Sequence, residues 1–206
     1  AKYKEEVCGC SCHIHNSLFN IKTKKNVFAD SKDKMGMSKI FKSYIAGQIE
    51  FLSDLSIFLA PNVNSYKRFQ EGSFAPTKSA WGIDNRTAGF RLAGHGNSIR
   101  IECRVPGSDV NPYLSFAGLI LAGLYGIENN LKLEAPISGN LYSNKKLKEV
   151  PKTLNQAIDL ARKSKLLPKI FPQDVLDHYI HAAEWEQSEY DKSVNDWEHR
   201  RYFERT

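Results

Sequence analysis

The sequence predicts an α+β fold, and three observations carry that prediction. Period-two alternation of apolar and polar residues marks strands at 8–19 and 98–105, with a third strand-like segment at 86–92. Apolar residues at helical spacing mark helices at 39–60, 111–128 and 172–203, and a capped short helix is expected at 153–163. The 206 residues are 41% hydrophobic and 25% charged, which suits one domain with a real core and excludes a disordered tail or a fibrous repeat.

The first strand-like segment, Cys8 to Phe19, separates into two faces. One holds Cys8, Cys10, Cys12, Ile14 and Leu18; the other holds Ser11, His13, His15 and Ser17. Residues 20–37 are polar and irregular. Ser38 then reads as the N-cap of a helix that carries Ile40, Phe41, Tyr44, Ile45, Ile49, Leu52, Leu55 and Leu59 to its stop at Pro61. Residues 61–84 read as a long loop. Its clustered polar residues, Asn64 to Arg68, argue for function, while Phe74 and Trp81 argue against disorder.

Two strands, 86–92 and 98–105, flank a Gly94-His95-Gly96-Asn97 turn and read as a hairpin. In the second strand Ser98, Arg100, Glu102 and Arg104 share one face, and Ile99, Ile101, Cys103 and Val105 the other. Asn111 caps a helix with Pro112 at its first position, running to about Glu128 with Leu114, Leu119, Leu121 and Leu124 on its apolar face. Thr153 caps the short helix to about Lys163. The last helix begins near Pro172 and is expected to reach Phe203, carrying Leu176, Ile180, Ala183, Trp185 and Trp197.

Composition narrows the partners. Lys plus Arg is 29 and Asp plus Glu is 23, so the formal charge is 29 − 23 = +6. That sign fits nucleic acid or anionic small molecules. No Lys/Arg tract with interleaved aromatics is present, so nucleic acid is set aside. No apolar run reaches the roughly 18 residues of a membrane helix, and Lys2, Lys4, Glu5 and Glu6 do not compose a signal peptide. The chain starts at Ala1 rather than Met, so a fragment or a processed chain is expected. The spacing of Cys8, Cys10, Cys12 and Cys103 makes poor disulfides and no zinc pair. These cysteines are expected to be small buried side chains in a reducing compartment.

The polar strand faces suggest chemistry. Two imidazoles at His13 and His15 suit a metal or a phosphate. Arginines at 100 and 104 bind carboxylate or phosphate, and Glu102 between them is either their ion-pair partner or a hard oxygen ligand for Mg2+ or Mn2+. Arg68, Arg86 and Arg91 add guanidinium groups whose clustering is costly without an anion. Phosphoryl transfer on a carboxylate and a merely solvated basic sheet both remain open from residue types alone.

Five ordered motifs make the pattern specific. They are Cys12-His13-Ile14-His15-Asn16-Ser17-Leu18, Asn64-Ser65-Tyr66-Lys67-Arg68-Phe69, Asn85-Arg86-Thr87-Ala88-Gly89-Phe90-Arg91, Arg100-Ile101-Glu102-Cys103-Arg104 and Asn111-Pro112-Tyr113-Leu114. Together they resemble the C-terminal part of the catalytic domain of the glutamine synthetase family, over nearly all of residues 1–206. Gly72-Ser73-Phe74-Ala75-Pro76 and the ending from Asp196 to Arg205 look most like its γ-glutamyl–amine ligases, the polyamine and ethanolamine branch.

The resemblance implies a curved antiparallel sheet with packed helices, like that of guanido kinases, lining a funnel between subunits. It also implies ATP and glutamate as substrates, Mg2+ or Mn2+ as cofactor, ammonia or a small amine as acceptor, a cytoplasmic location, and a ring-shaped homo-oligomer. In such enzymes the glutamate γ-carboxylate takes the γ-phosphoryl group of ATP, and the amine then displaces phosphate. Carried over by position, His13 and Glu102 match metal ligands. Gly9, Arg68 and Arg104 match glutamate-holding groups, and His15, Ser17, Arg91 and Arg100 match nucleotide contacts. Arg86 matches a residue beside both substrates and the transferred phosphate. A straight strand would place Arg86 and Arg91 on opposite faces, so a bend or bulge is expected there.

Three positions depart from the family pattern. Phe74 stands where glutamine-forming members have an ammonium-binding Glu, and an apolar slot for a larger amine is expected there. Asn97 falls on a basic nucleotide-contact position. Tyr142 matches a regulatory adenylylation tyrosine, but its flanks Ser143-Asn144-Lys145 differ. The family's N-terminal β domain and its other carboxylate ligands would precede Ala1, so these residues alone are not expected to be active. The alternative is a glutamine synthetase-like scaffold that binds without turnover.

Overall fold

The computed structural model describes residues 1–203; the Glu204 and Arg205 of the terminal motif lie outside the described residues. Strand β1 spans Ile14–Asn16, β2 Trp81–Ile83, β3 Phe90–Ala93 and β4 Arg100–Cys103. They form one sheet in the order β1-β4-β3-β2. The expected hairpin is present: β3 and β4 pair antiparallel, and β1 pairs antiparallel with β4. The expectation of an all-antiparallel sheet is corrected at one edge, because β2 pairs parallel with β3.

That parallel pair rests on an unusually short return through residues 84–89. Asp84 adopts φ +48° and turns the chain out of β2. Asn85 Nδ2 donates to the carbonyls of Ile137 and Gly139, at 3.2 and 3.0 Å. Gly89 then passes so close to the preceding chain that an added Cβ would lie 2.7 Å from the Lys78 carbonyl. Strand β3 consequently starts at Phe90, not at Arg86. Arg86 sits in the turn, which supplies the bend that its pairing with Arg91 required.

The first strand is also shorter than its alternation suggested. Ile14 is buried, but Cys8 and Cys10 are exposed, which corrects the expected cysteine face; only Cys103 is a buried thiol. Residues 8–13 are held by single contacts, such as the Cys10 amide to the Ala1 carbonyl at 2.8 Å, rather than by a ladder. Alternation alone cannot supply a partner strand.

Helix α1 spans Lys39–Phe51, and Ser38 caps it by accepting from the Phe41 amide at 3.1 Å. The expected single helix to Ala60 is broken. A turn at 52–55 precedes α2, Ser56–Leu59, where the Ser56 hydroxyl bonds back to the Leu52 carbonyl at 3.1 Å. Leu52, Leu55 and Leu59 are buried all the same. The long loop contains a one-turn helix α3, Val63–Tyr66, as well as β2.

Helix α4, Pro112–Glu128, starts at the Asn111 cap as expected. It crosses α1 at near backbone contact. A Cβ on Gly47 would lie 2.1 Å from the Ala122 carbonyl, and one on Gly126 would lie 2.1 Å from the Ser43 carbonyl. Leu119 and Ala122 face the core, but Leu124 is exposed with Tyr113, Phe116 and Ile120. Apolar residues all round this helix left its buried face undetermined by spacing. Phe28 stacks on Phe41, ring centroids 4.1 Å apart, beneath the same core.

Helix α5, Leu154–Lys163, is capped by Thr153, whose hydroxyl accepts from the Gln156 amide at 3.2 Å. Helix α6, Gln173–Lys192, buries Leu176, Ile180 and Ala183. It stops short of Phe203 because Asn195 begins a new turn. The Asn195 side chain caps α7, Asp196–Glu198, and Glu198 answers with a 2.8 Å bond to the Asn195 amide. Trp185 and Trp197 are exposed.

An ion pair reinforces two backbone hydrogen bonds, Ser79 amide to Lys148 carbonyl at 2.8 Å and Val150 amide to Thr77 carbonyl at 2.9 Å, that tie the 77–79 segment to the chain ahead of α5. Lys78 is buried, and its Nζ meets Glu149 Oε1 at 2.7 Å. Hydrogen bonds from Lys152 and Lys78 pull the Glu149 carboxyl from 4.5 down to about 2. Its contribution is therefore full above pH 4.5 and lost as pH falls toward 2. Glu149→Gln should cost about 1 kcal/mol at neutral pH and flatten that acid limb, measured as Tm against pH. An unchanged acid limb would refute the assignment.

Candidate active site

Strand β4 is central, and its register builds the site. Glu102 lies opposite His15 on β1 and opposite Arg91 on β3. The next row, Ile14, Cys103 and Phe90, is buried core. Alternation therefore sends one row into the core and the other into a polar cluster on the opposite face.

Glu102 is the hub of that cluster and is buried. Its Oε1 accepts from Arg104 Nη1 at 2.9 Å and lies 2.9 Å from His13 Nδ1; His15 Nε2 is 3.9 Å away. Its Oε2 accepts from Arg91 Nη1 at 2.8 Å. Burial raises the Glu102 carboxyl, but the Arg91 hydrogen bond and the Arg104 and His13 charges outweigh it and hold the group below its ordinary value. Burial, then the Arg104 charge, lowers His13; burial also leads the lowering of His15. Both rings are thus neutral near pH 7. A neutral His13 imidazole keeps a lone pair on one ring nitrogen.

The arginines are fixed by further contacts. Arg91 Nε donates to Asp84 Oδ1 at 2.7 Å. Arg100 Nε donates to His15 Nδ1 at 3.2 Å and its Nη1 to the Ser98 carbonyl at 3.1 Å. Arg104 Nε donates to the Arg86 carbonyl at 3.2 Å. Arg68 is buried, with Nη2 on the Val105 carbonyl at 2.6 Å and Nη1 on the Ser11 hydroxyl at 3.3 Å, while its Nε has no partner.

Gly9 packs on the Arg68 stem, where an added Cβ would lie 2.6 Å from Cγ. Gly107 separates Arg68 from Asp109, whose Oδ2 takes bonds from Ser65 and Asn62 at 2.5 and 3.1 Å.

The structure thus brings together His13, His15, Arg91, Arg100, Glu102 and Arg104, and separately packs Gly9 against Arg68. Ser17 is exposed just past β1. Arg86 joins the cluster through its carbonyl, while its side chain is exposed. Phe74 is exposed at φ +60°. Asn97 is engaged in structure, accepting from the Asn26 amide at 3.2 Å. Sequence reasoning missed Asp84 and Asp109. Asp84 directly precedes the Asn85-Arg86 motif, a position that could have drawn notice; Asp109 carries no spacing signal.

Among the described residues, no group of three or more His, Cys, Asp or Glu side chains is placed to hold a metal ion. The donor chemistry still fits part of a divalent-cation site. Glu102 accepts two hydrogen bonds, from Arg91 and Arg104, so lone-pair positions remain, and a neutral His13 offers one ring nitrogen. Two donors fall short of the six or so oxygen and nitrogen ligands that Mg2+ takes. His13 and Glu102 could supply two donors to such a site, fewer than it needs.

A strand-lined cluster of guanidiniums and imidazoles around one buried carboxylate, on a mixed sheet backed by helices, is suited to binding anions. Residues 1–202 match the glutamine synthetase catalytic domain model. The chain belongs to that family, whose members depend on ATP and use a divalent metal.

Among relatives, the chain is 48% identical to the gamma-glutamylethanolamide synthetase GlnA4 of Streptomyces coelicolor, over 100% of this chain and 43% of that protein. It is 38% identical to a glutamate–isopropylamine ligase of a Pseudomonas species, over 99% and 45%. A solved structure titled as a GmaS/ADP complex superposes with a TM-score of 0.85 at 25% identity, over 95% of this chain and 46% of that one. The chain therefore spans a little under half the length of these relatives.

Proposed function

We propose that the protein containing this chain is an ATP-dependent ligase that joins the γ-carboxylate of glutamate to ammonia or a small amine. The observation that carries this reading is Glu102, buried and ionised between Arg91 and Arg104 with His13 at 2.9 Å. A carboxylate held so firmly sets the position of two guanidiniums facing the same cluster, and preorganised cations are what a transferring phosphoryl group requires.

In this reading Arg91 and Arg100, with His15 and Ser17, hold the nucleotide phosphates. Arg68 and Arg104 hold glutamate, with Gly9 allowing the Arg68 stem its place. Arg86 lies beside the transferred group. His13 and Glu102 are two donors to a divalent cation, which when bound neutralises phosphate charge; the remaining donors belong to the rest of the polypeptide. A γ-carboxylate oxygen bonds to the γ-phosphorus as ADP leaves. The amine nitrogen then bonds to the acyl carbon, phosphate departs, and the amine gives up a proton. Phe74, exposed and uncharged, favours an amine with a carbon body over ammonium. A cytoplasmic location and a homo-oligomeric ring belong to the same proposal; the four free thiols accord with a reducing compartment. Among the described residues no helix is long and apolar enough to cross a membrane.

The test is phosphate release by the full-length protein with Mg2+, ATP, glutamate and a panel of amines. Release that depends on both glutamate and an amine is expected. A folded preparation that binds ATP yet releases no phosphate with any amine would instead establish a binding scaffold.

A further inference from the structure

Arg68 is buried, yet among the described residues no carboxylate is in ion-pair contact with it; Arg91 and Arg104, by contrast, both pair with Glu102. Its Nη2 donates to the Val105 carbonyl and its Nη1 to the Ser11 hydroxyl, which leaves donors of the fork free. Its Nε has no partner. The Phe69 ring, 5.1 Å from Arg68 Cζ, adds contact but no full charge. A charge buried against neutral groups alone is costly, so a counter-charge is needed nearby.

Asp109 meets that need. Among the described residues it is the carboxylate whose charge favours the ionised Arg68 guanidinium. Burial raises the Asp109 carboxyl, but hydrogen bonds from Ser65 and Asn62 outweigh it and hold the group below its ordinary value, so it is ionised at pH 7. Both of those bonds go to Oδ2; Oδ1 is buried without a partner. The two orphan atoms, Asp109 Oδ1 and Arg68 Nε, face one point. A Cβ built on Gly107 would lie 2.2 Å from the first and 3.2 Å from the second, with Arg68 Nη2 at 3.3 Å. Gly107 is itself fixed, its amide donating to the Leu59 carbonyl at 3.1 Å. The opposite charges are neighbours across a glycine, not bonded partners.

That spacing has a chemical use. A direct salt bridge would occupy the fork that a substrate carboxylate needs. A counter-charge kept behind a glycine holds the guanidinium charged and oriented while leaving donors open. The Arg68 charge also acts on His13, which puts the fork beside the Glu102 cluster.

We propose that Asp109 is a positioning residue that acts through Arg68, its carboxylate holding the guanidinium in the orientation that receives glutamate. This rests on the ligase reading above.

The experiment compares full-length wild type, Asp109→Asn, Arg68→Gln and the double variant for kcat/KM toward glutamate and for the KM of ATP, with the best acceptor of the amine panel. Asp109→Asn should lower kcat/KM for glutamate about fivefold and leave the KM for ATP unchanged. In the Arg68→Gln background the same change should have an effect below about twofold, because Asp109 then has nothing to act through. Deleting a negative charge would by itself tighten glutamate binding, so a raised kcat/KM in Asp109→Asn overturns the proposal. So do equal losses in both backgrounds, or equal losses for glutamate and ATP, which mark a structural role. Gly107→Ala keeps both charges but drives a methyl between them, and its kcat/KM for glutamate should fall about threefold. An unchanged value there overturns the proposal even if Asp109→Asn does not fold. A wild type that releases no phosphate with any amine defeats the ligase reading itself, and this assignment with it.

Discussion

Glu102→Ala in the full-length protein should lower both stability and turnover more than any other single change in the sheet. The side chain is buried and contacts Arg91, Arg104 and His13 at 2.8–2.9 Å. Its removal leaves Arg104, itself buried, without its carboxylate partner. Breaking a buried pair in this way costs about 3–5 kcal/mol. Phosphate release should fall by about 10²–10³-fold, because the guanidiniums lose their fixed aim. Calorimetry and a phosphate assay on one preparation measure both.

Glu102→Gln separates the two effects. The amide keeps the shape and some of the hydrogen bonds but not the charge, so it should melt above the alanine variant while remaining as inactive. The wild-type pH dependence carries a matching sign. Folding holds the carboxyl below 4.5, so its stabilisation is complete above that pH and lost as acid protonates the folded form. An alanine variant with wild-type Tm and activity would remove Glu102 from the centre of the site.

Gly126→Ala should be the most damaging change in the helical layer. The new methyl would sit 2.1 Å from the Ser43 carbonyl and 2.8 Å from the Gly47 backbone. These are backbone atoms, so no side-chain rotation relieves the clash. Helices α1 and α4 would have to separate, giving up burial at Tyr44, Leu119 and Ala122. Overpacking typically costs 1–3 kcal/mol, and a backbone clash belongs at about the upper end. Gly72→Ala is the control. Gly72 has φ +76° and no heavy atom within 4 Å of the added Cβ, so only the left-handed backbone penalty of about 1–2 kcal/mol applies. Equal Tm losses for the two variants would show that the helix crossing is looser than described.

Local chemistry was legible in the sequence. Ser38, Asn111 and Thr153 cap helices where hydroxyl and amide side chains precede apolar periodicity, since capping needs only neighbours in the chain. Period two separated Glu102 and Arg104 from Ile101 and Cys103. Five ordered motifs then pointed to the family and to the candidate residues.

What failed was whatever needs a distant partner. Cys8 and Cys10 alternate like a strand yet have no ladder to join, and they are exposed. The parallel β2–β3 pair depends on contacts of residues 84–89 with 137–139, some fifty positions away. The sequence by itself determined which residue types share a face, because side-chain direction follows from backbone period alone. Only the tertiary structure decided that His13, His15, Arg91 and Glu102 converge. Strand register and loop placement are set by long-range packing, which no local pattern encodes.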